Sequence, residues 1–339
     1  MGGTVVSPRA RLVGDGVENP ANAEALAEAA RMFAVPCSFR DSRGLAEHLP
    51  ELSTVDTAAL LGGAGPLIAV DNAPRAESVY RAGTLHSGAS IVVGNERRGI
   101  RPDVLRAAAK TVQIPMPGRG VNTLNVATAA AVALYYLLDA HGRRQARAPR
   151  PESHRPTLLL AVPRDHVEAG SSLRSAAAFG WQTVVVDDRE KVWFGTPRPV
   201  RNEARAAARS HRNPLHVVPG GDAWSSPPGS RVVVCAPDVD GPPLHRTELT
   251  GPGTVLVIPD GDGWEPRPGA EFARVAVPGA AGRYRLLTGI VLAEAARQLG
   301  TRTAGAPRPP RRGMSYGSGL DLTAPPDTDL VQPWELTHY

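Results

Sequence analysis

The 339-residue sequence predicts an α/β fold made of two similar units, each with a mostly parallel sheet. Three observations lead there. Short β-rich runs alternate with Ala/Leu-rich runs of helical spacing, the order expected of strand–helix–strand units. The chain breaks once near its middle, at HGRRQARAPRPESHRP (141–156). The segments on the two sides of that break also read alike, and a repeat of two large units argues for a pseudo-twofold pair of domains.

The first unit opens with the helical run NPANAEALAEAARMFAV (19–35) and the second with DHVEAGSSLRSAAAFGW (165–181). Each continues to a β-rich run closed by a turn, ASIVVGNERRG (89–99) and TVLVIPDGDGW (254–264). A strand, a loop and an apolar helix then follow, at TVQIPMPGRGVNTLNVATAAAVALYYL (111–137) and RVAVPGAAGRYRLLTGIVLAEAARQLG (274–300). Placing Pro115 on Pro278 brings Leu124 onto Leu287 with no gap. The reading is a tandem duplication: a first domain over 1–142, a polar, basic linker over 143–156, a second domain over 157–300, and a Pro/Arg-rich tail over 301–339 in which Trp334 and Leu336 are candidates to dock on the body.

Composition narrows the class. Hydrophobic residues make 42% of the chain and charged residues 21%, as in globular proteins, and aromatics only 5%, so the core rests on Ala, Val and Leu. Gly (35) and Pro (33) are dispersed, which excludes collagen. No run approaches the roughly 18 apolar residues of a membrane span and the N-terminus lacks a signal-peptide core, so a cytoplasmic protein without membrane contact is expected. Cys37 and Cys235 are the two cysteines, too few for a disulfide framework or a structural zinc site. Asp187, Asp188, Asp260 and Asp262 lack the supporting ligands of a metal centre, and none is expected. The net charge is +5 and nearly all basic residues are arginine, whose planar fork suits phosphate. That charge is compatible with an RNA partner without requiring one.

Three segments carry chemistry. Ile91–Gly94 reads as a buried strand feeding the glycine-bounded loop Gly94-Asn95-Glu96-Arg97-Arg98-Gly99. Ile114-Pro115-Met116-Pro117-Gly118 follows, and then Asn122-Thr123-Leu124-Asn125 opens an apolar helix. A single GNERRG is most simply a strand–turn–helix. In this order and spacing the three together resemble the second and third motifs of the SPOUT superfamily, in its TrmH/SpoU branch of RNA ribose 2′-O-methyltransferases. The resemblance is close over 70–137 and looser in the second half.

The resemblance implies a trefoil knot in each domain and bound S-adenosylmethionine as cofactor, held by Val70, Asp71 and Asn72, by Gly94, Asn95, Glu96 and Gly99, and by Ile114, Pro115, Met116, Thr123, Leu124 and Asn125. Glycines permit close backbone approach, and Ile114, Met116 and Leu124 are apolar enough to sandwich adenine. The family's first motif, Asn followed six residues later by Arg, is divided between the halves. The second half keeps Arg174 but has Glu168 for the Asn; the first keeps Asn22 but has Glu28 for the Arg, with Arg31 a weak substitute. Conversely, the second half replaces Gly94-Asn95-Glu96 with Pro259-Asp260-Gly261 and Asn122–Asn125 with Arg285-Leu286-Leu287-Thr288. Family members combine the cofactor knot of one subunit with the arginine helix of the other. The expectation is therefore an intramolecular pseudo-dimer with one composite active site, in which Arg174, Asn125, Thr123 and Glu96 are the catalytic candidates. For Asn125 and Glu96 a structural role is equally expected. A monomer and a homodimer both fit this arrangement. The acceptor expected is rRNA or tRNA; methylation of a nucleoside-like small molecule and an inactive RNA-binding scaffold are the alternatives.

Overall fold

The computed structural model describes residues 10–40, 45–63, 65–73, 75–83, 85, 88–117, 124–139, 155–195, 215–220, 226–261, 263–279 and 283–300. Thr123, most of the expected linker and the whole C-terminal tail lie outside the described residues.

The first half contains β1 (Ala10–Asp15), α1 (Pro20–Met32), β2 (Cys37–Arg40), α2 (Leu45–His48), α3 (Thr57–Leu61), β3 (Leu67–Val70), β4 (Glu77–Ser78), β5 (Ala89–Gly94), α4 (Pro102–Ala107), β6 (Lys110–Gln113) and α5 (Val126–Asp139). The second contains β7 (Thr157–Ala161), α6 (His166–Ala178), β8 (Thr183–Asp187), β9 (His216–Pro219), β10 (Arg231–Ala236), a 3₁₀ turn at Leu244–Arg246, β11 (Thr254–Pro259), β12 (Glu271–Arg274) and α7 (Tyr284–Gln298). Local chemistry sets the helix starts. Asn19 caps α1 by accepting from the Ala21 amide at 2.9 Å, with Pro20 at the first helical position. Asp165 caps α6 by accepting from Val167 and Glu168.

Each half folds on a six-stranded sheet, ordered β2-β1-β5-β3-β6-β4 and β12-β10-β11-β7-β8-β9. Every ladder between the named strands is parallel. Setting aside the edge strands β4 and β9, the first sheet reads β2-β1-β5-β3-β6 and the second, in the same direction, β8-β7-β11-β10-β12. First, second, third, fourth and fifth strands of each set occupy the same places, so the two halves share one topology.

The halves join through their helices. α1 packs on α5, α5 on α7, and α7 on α6. A single apolar cluster runs through this layer, from Leu26 and Met32 through Leu134 and Ile290 to Leu173 and Phe179. All of α7 is buried, which is why its polar residues need partners. Glu294 receives Tyr136 Oη at 2.6 Å, Arg297 Nε at 2.9 Å and Gln298 Nε2 at 2.9 Å, so one buried carboxylate ties the first half to the second. Two smaller clusters cover the outer sheet faces, around Val13, Val92 and Val104 and around Leu159, Val185 and Val257.

Candidate active site

The loops after β3, β5 and β6 meet at the carboxyl ends of their parallel strands, where open α/β sheets place ligands. They enclose a cleft of about 280 Å³, close to the lower bound of roughly 300 Å³ for small-molecule sites. Its walls include Val70, Asp71, Asn72, Gly94, Asn95, Glu96, Gly99, Ile114, Met116 and Leu124, ten of the thirteen cofactor positions named from the sequence. Pro115 is buried beside the cleft without lining it, and Asn125 stands at the start of α5, outside the lining. Sequence reasoning missed Val93, Arg98, Ile100, Leu105, Gln113, Val126 and Ala129, which also line it. Val93 belongs to the continuous buried run of β5; the others reach the cleft only through tertiary packing.

The GNERRG loop is rigid for reasons visible atom by atom. Asn95 and Gly99 exchange backbone hydrogen bonds at 3.1 and 2.8 Å. The Asn95 side chain donates to Gly16 O at 2.8 Å and accepts from the Arg97 and Arg98 amides at 2.9 and 3.0 Å. Gly94 must be glycine: a Cβ there would lie 2.2 Å from the Gly99 carbonyl carbon and 2.3 Å from the Ile100 nitrogen. Asp15, buried and paired with buried Arg40, accepts from the Arg101 amide at 2.9 Å and anchors the start of α4. Asp71 accepts from the Asn72 amide at 2.6 Å. Burial pushes the Asp71 carboxyl above its usual range, against the lowering pull of the Asn72 and Ile100 amides.

Three side chains far apart in sequence form a relay under the cleft. Asn125 Nδ2 donates to Asn22 Oδ1 at 2.9 Å, and Asn22 Nδ2 donates to Glu96 Oε1 at 2.6 Å. Asn125 Oδ1 also caps α5 by accepting from the Ala127 amide at 2.9 Å. Asn22 thus ties α1 to two cleft loops through Glu96 and Asn125.

Arg174 lies half-buried on α6 and is not part of the cleft lining. Its helix nevertheless approaches the cleft loops: the turn after α6 packs at Gly180 against Pro117, the neighbour of cleft residue Met116.

The equivalent region of the second half carries paired charges and a bonded tyrosine among its described residues. Starting α1 and α6 together brings Asn22 onto Glu168 and Glu28 onto Arg174. Glu28 forms an ion pair with Arg283, which also approaches Glu168 at 3.7 Å. Glu168 lies 3.3 Å from Arg285 Nε and accepts from the Arg285 amide at 3.0 Å. Burial pushes the Glu168 carboxyl upward, opposed by Arg285 and Arg283. Laying β11 on β5 places Ile258 on Val93, and there the buried Tyr284 hydroxyl donates to Ile258 O at 2.9 Å. Arg164 closes the adjoining turn through two 2.9 Å bonds to Asp260. Among the described residues, no cluster of His, Cys, Asp and Glu has the makings of a metal site, and no helix is long and apolar enough to cross a membrane.

A family model for SpoU rRNA methylases matches residues 9–135, the span that builds the cleft. Over that span the chain is similar to the SpoU rRNA methylase family. Among solved structures, the chain is similar to a protein studied for 2-OH methylation of C/U34 on tRNA, at 29% identity over 38% of this chain and 88% of that one (TM-score 0.31). It is also similar to an RNA 2′-O ribose methyltransferase, at 26% identity over 40% and 58% of the two chains (TM-score 0.32). A third is the TrmH/SpoU tRNA modifying enzyme of A. aeolicus, at 21% identity over 38% and 73% (TM-score 0.31). No curated protein matches the chain.

Proposed function

We propose that this chain is an S-adenosylmethionine-dependent RNA ribose 2′-O-methyltransferase, with rRNA or tRNA as acceptor. In this reading it is a tandem-duplicated pseudo-dimer with a single composite active site: the first domain holds the cofactor and the second supplies Arg174. The observation that carries the reading is the cleft itself. Loops of the family-matched span converge on it, while among the described residues of the second half Tyr284 and the Glu28–Arg283 and Glu168–Arg285 pairs stand at the equivalent positions.

The cleft residues fit the cofactor. Val70, Val93, Ile114, Met116 and Leu124 offer apolar surface for a planar purine, and the bare Gly94 lets the backbone stand close to it. S-adenosylmethionine would supply there an electrophilic methyl on a sulfonium sulfur. The chain's residues have the remaining tasks. A ribose hydroxyl is a poor nucleophile at neutral pH, so the site must hold it in line, a contribution of roughly 7–11 kcal/mol when geometry is right. A guanidinium with a pKa above about 12 does not serve as a base. Arg174 therefore acts as a clamp on a substrate phosphate, orienting the ribose and stabilising the developing alkoxide. Thr123 is a further hydrogen-bonding candidate for the phosphate or hydroxyl. Asn22, Glu96 and Asn125 hold the loops in register.

The test is transfer of labelled methyl from S-adenosylmethionine to RNA, with ribose methylation identified by resistance of the modified linkage to alkali. Wild-type chain should transfer and bind one cofactor per chain by calorimetry. Arg174→Ala should abolish transfer with cofactor affinity nearly intact. Two cofactors per chain, or label going only to small molecules, would sink the reading.

A further inference from the structure

We propose that Gly180 is a positioning residue of the composite site: Pro117 seats on its bare α-carbon, and that contact fixes where α6 presents Arg174. The inference rests on the composite-site reading above.

Gly180 follows the last turn of α6 and has φ +89°. Its amide donates to Ala177 O at 3.0 Å and the Trp181 amide to Ala176 O at 2.9 Å, a tightly closed helix end. A Cβ at this position would lie 2.7 Å from Pro117 Cγ and 3.1 and 3.2 Å from the two terminal nitrogens of Arg155. Arg155 in turn donates to Gly180 O at 2.5 Å and lies 5.1 Å from the centre of the Trp181 ring. The turn is thus gripped by the cleft loop on one side and by Arg155 on the other.

The φ of +89° itself favours glycine, and the contact with Pro117 adds a second demand. Starting α1 and α6 together puts Ala34, with φ +52°, on Gly180. The docking partner differs as well. At the end of α1 the docking loop of the other half carries the glycine itself: Gly279 N donates to Met32 O at 2.8 Å, and a Cβ on Gly279 would lie 2.1 Å from Arg31 O. Each cleft-type loop therefore docks on the closing turn of the opposite helix, and each contact has one glycine, on the loop side in one case and on the helix side in the other. At Gly180 the missing methyl makes room for Pro117.

The contact is placed to matter. Pro117 directly follows Met116, which is 3% exposed and lines the cleft. Arg174 precedes Gly180 by six residues, about 9 Å of stiff helix at 1.5 Å per residue, so a displaced turn carries Arg174 with it.

The experiment compares Gly180→Ala, Pro117→Ala and the double variant for kcat, cofactor Kd and melting temperature. An added methyl facing Pro117 must push the surfaces apart by the better part of 1 Å, a misplacement that costs on the order of 100-fold in rate. Gly180→Ala should lose kcat on that scale while cofactor Kd stays within about threefold, and the double variant, with Cγ gone, should regain at least about tenfold over Gly180→Ala, a coupling expected only of touching residues. Wild-type kcat in Gly180→Ala overturns the proposal. So does an equal loss in the single and double variants, which would mean backbone strain, or a matching loss of cofactor affinity. Should Gly180→Ala not fold, the double variant must fold and turn over, and its failure to do so is also a refutation. A wild-type chain that methylates no RNA would instead defeat the proposed function and this inference with it.

Discussion

The buried carboxylate of Glu294 gives a sharp test of how the halves are joined. Its side chain is 0% exposed and that of Arg297 6%, and the Arg297 fork meets it at 2.5 and 2.9 Å. Replacing Arg297 with Leu leaves the carboxylate with only the neutral donors Tyr136 and Gln298. Breaking a buried pair on one side costs about 3–5 kcal/mol, a large share of the roughly 5–15 kcal/mol that holds a protein folded. With a urea slope of about 2 kcal/mol per M, the midpoint should fall by about 2 M. Adding Glu294→Gln removes the stranded charge and should return about 1–3 kcal/mol, the desolvation penalty of an unmatched group. The assay is urea unfolding of both variants followed by circular dichroism. If the double variant is no more stable than Arg297→Leu, the loss comes from packing and the charge argument is wrong.

Two more outcomes follow from the site. Gly94→Ala sets a methyl 2.2 Å from the Gly99 carbonyl carbon; opening that turn costs about 1–3 kcal/mol, so S-adenosylmethionine affinity measured by calorimetry should drop at least about tenfold, and an unchanged Kd would remove this turn from the cofactor wall. Glu168 has its pKa raised by burial despite Arg285 and Arg283. The folded state therefore holds that proton to a higher pH than the unfolded state does, and its contribution, complete below the ordinary glutamate pKa, is lost as pH rises through the folded value. In urea titrations from about pH 4 to about pH 8, wild type should lose ground against Glu168→Gln as pH rises. A gain would mean that the two arginines outweigh burial.

What the sequence showed well was contiguous. The GNERRG loop, the Ile114–Pro117 segment and the start of α5 each lie within a few residues of chain, and with Val70–Asn72 they include the ten lining residues named from the sequence, against seven that were missed. The likeness of the two halves was also legible, since Ala/Leu-rich helices and β-rich runs recur in the same order, and the two sheets have the same order of strands once β4 and β9 are set aside. Contacts that depend on long-range closure were not visible. Asn22 was marked as a retained motif residue, yet nothing local predicts that it bridges Glu96 and Asn125, which lie 74 and 103 positions away. Nothing local predicts that Glu294 and Arg297 of α7 are buried; Tyr136 of the other half completes the shell of Glu294. Short polar-edged strands such as β2, β9 and β12 lack the apolar run that marks a central strand, and only pairing defines them.

The two halves differ most at the positions that topology makes equivalent, and the differences are compensated. Where the second half has Arg174, the first has Glu28, and Glu28 is paired with Arg283 from the opposing loop. Where the first half has Asn22 between Glu96 and Asn125, the second has Glu168, and Arg285 stands 3.3 Å away. Each of these charges has a counter-charge beside it, and Tyr284 is bonded at 2.9 Å at the position that β11 shares with β5. Under the proposed function, a phosphate arriving at the mirror position would meet carboxylates already committed to arginines, with an ion-pair network to dismantle before anything could bind.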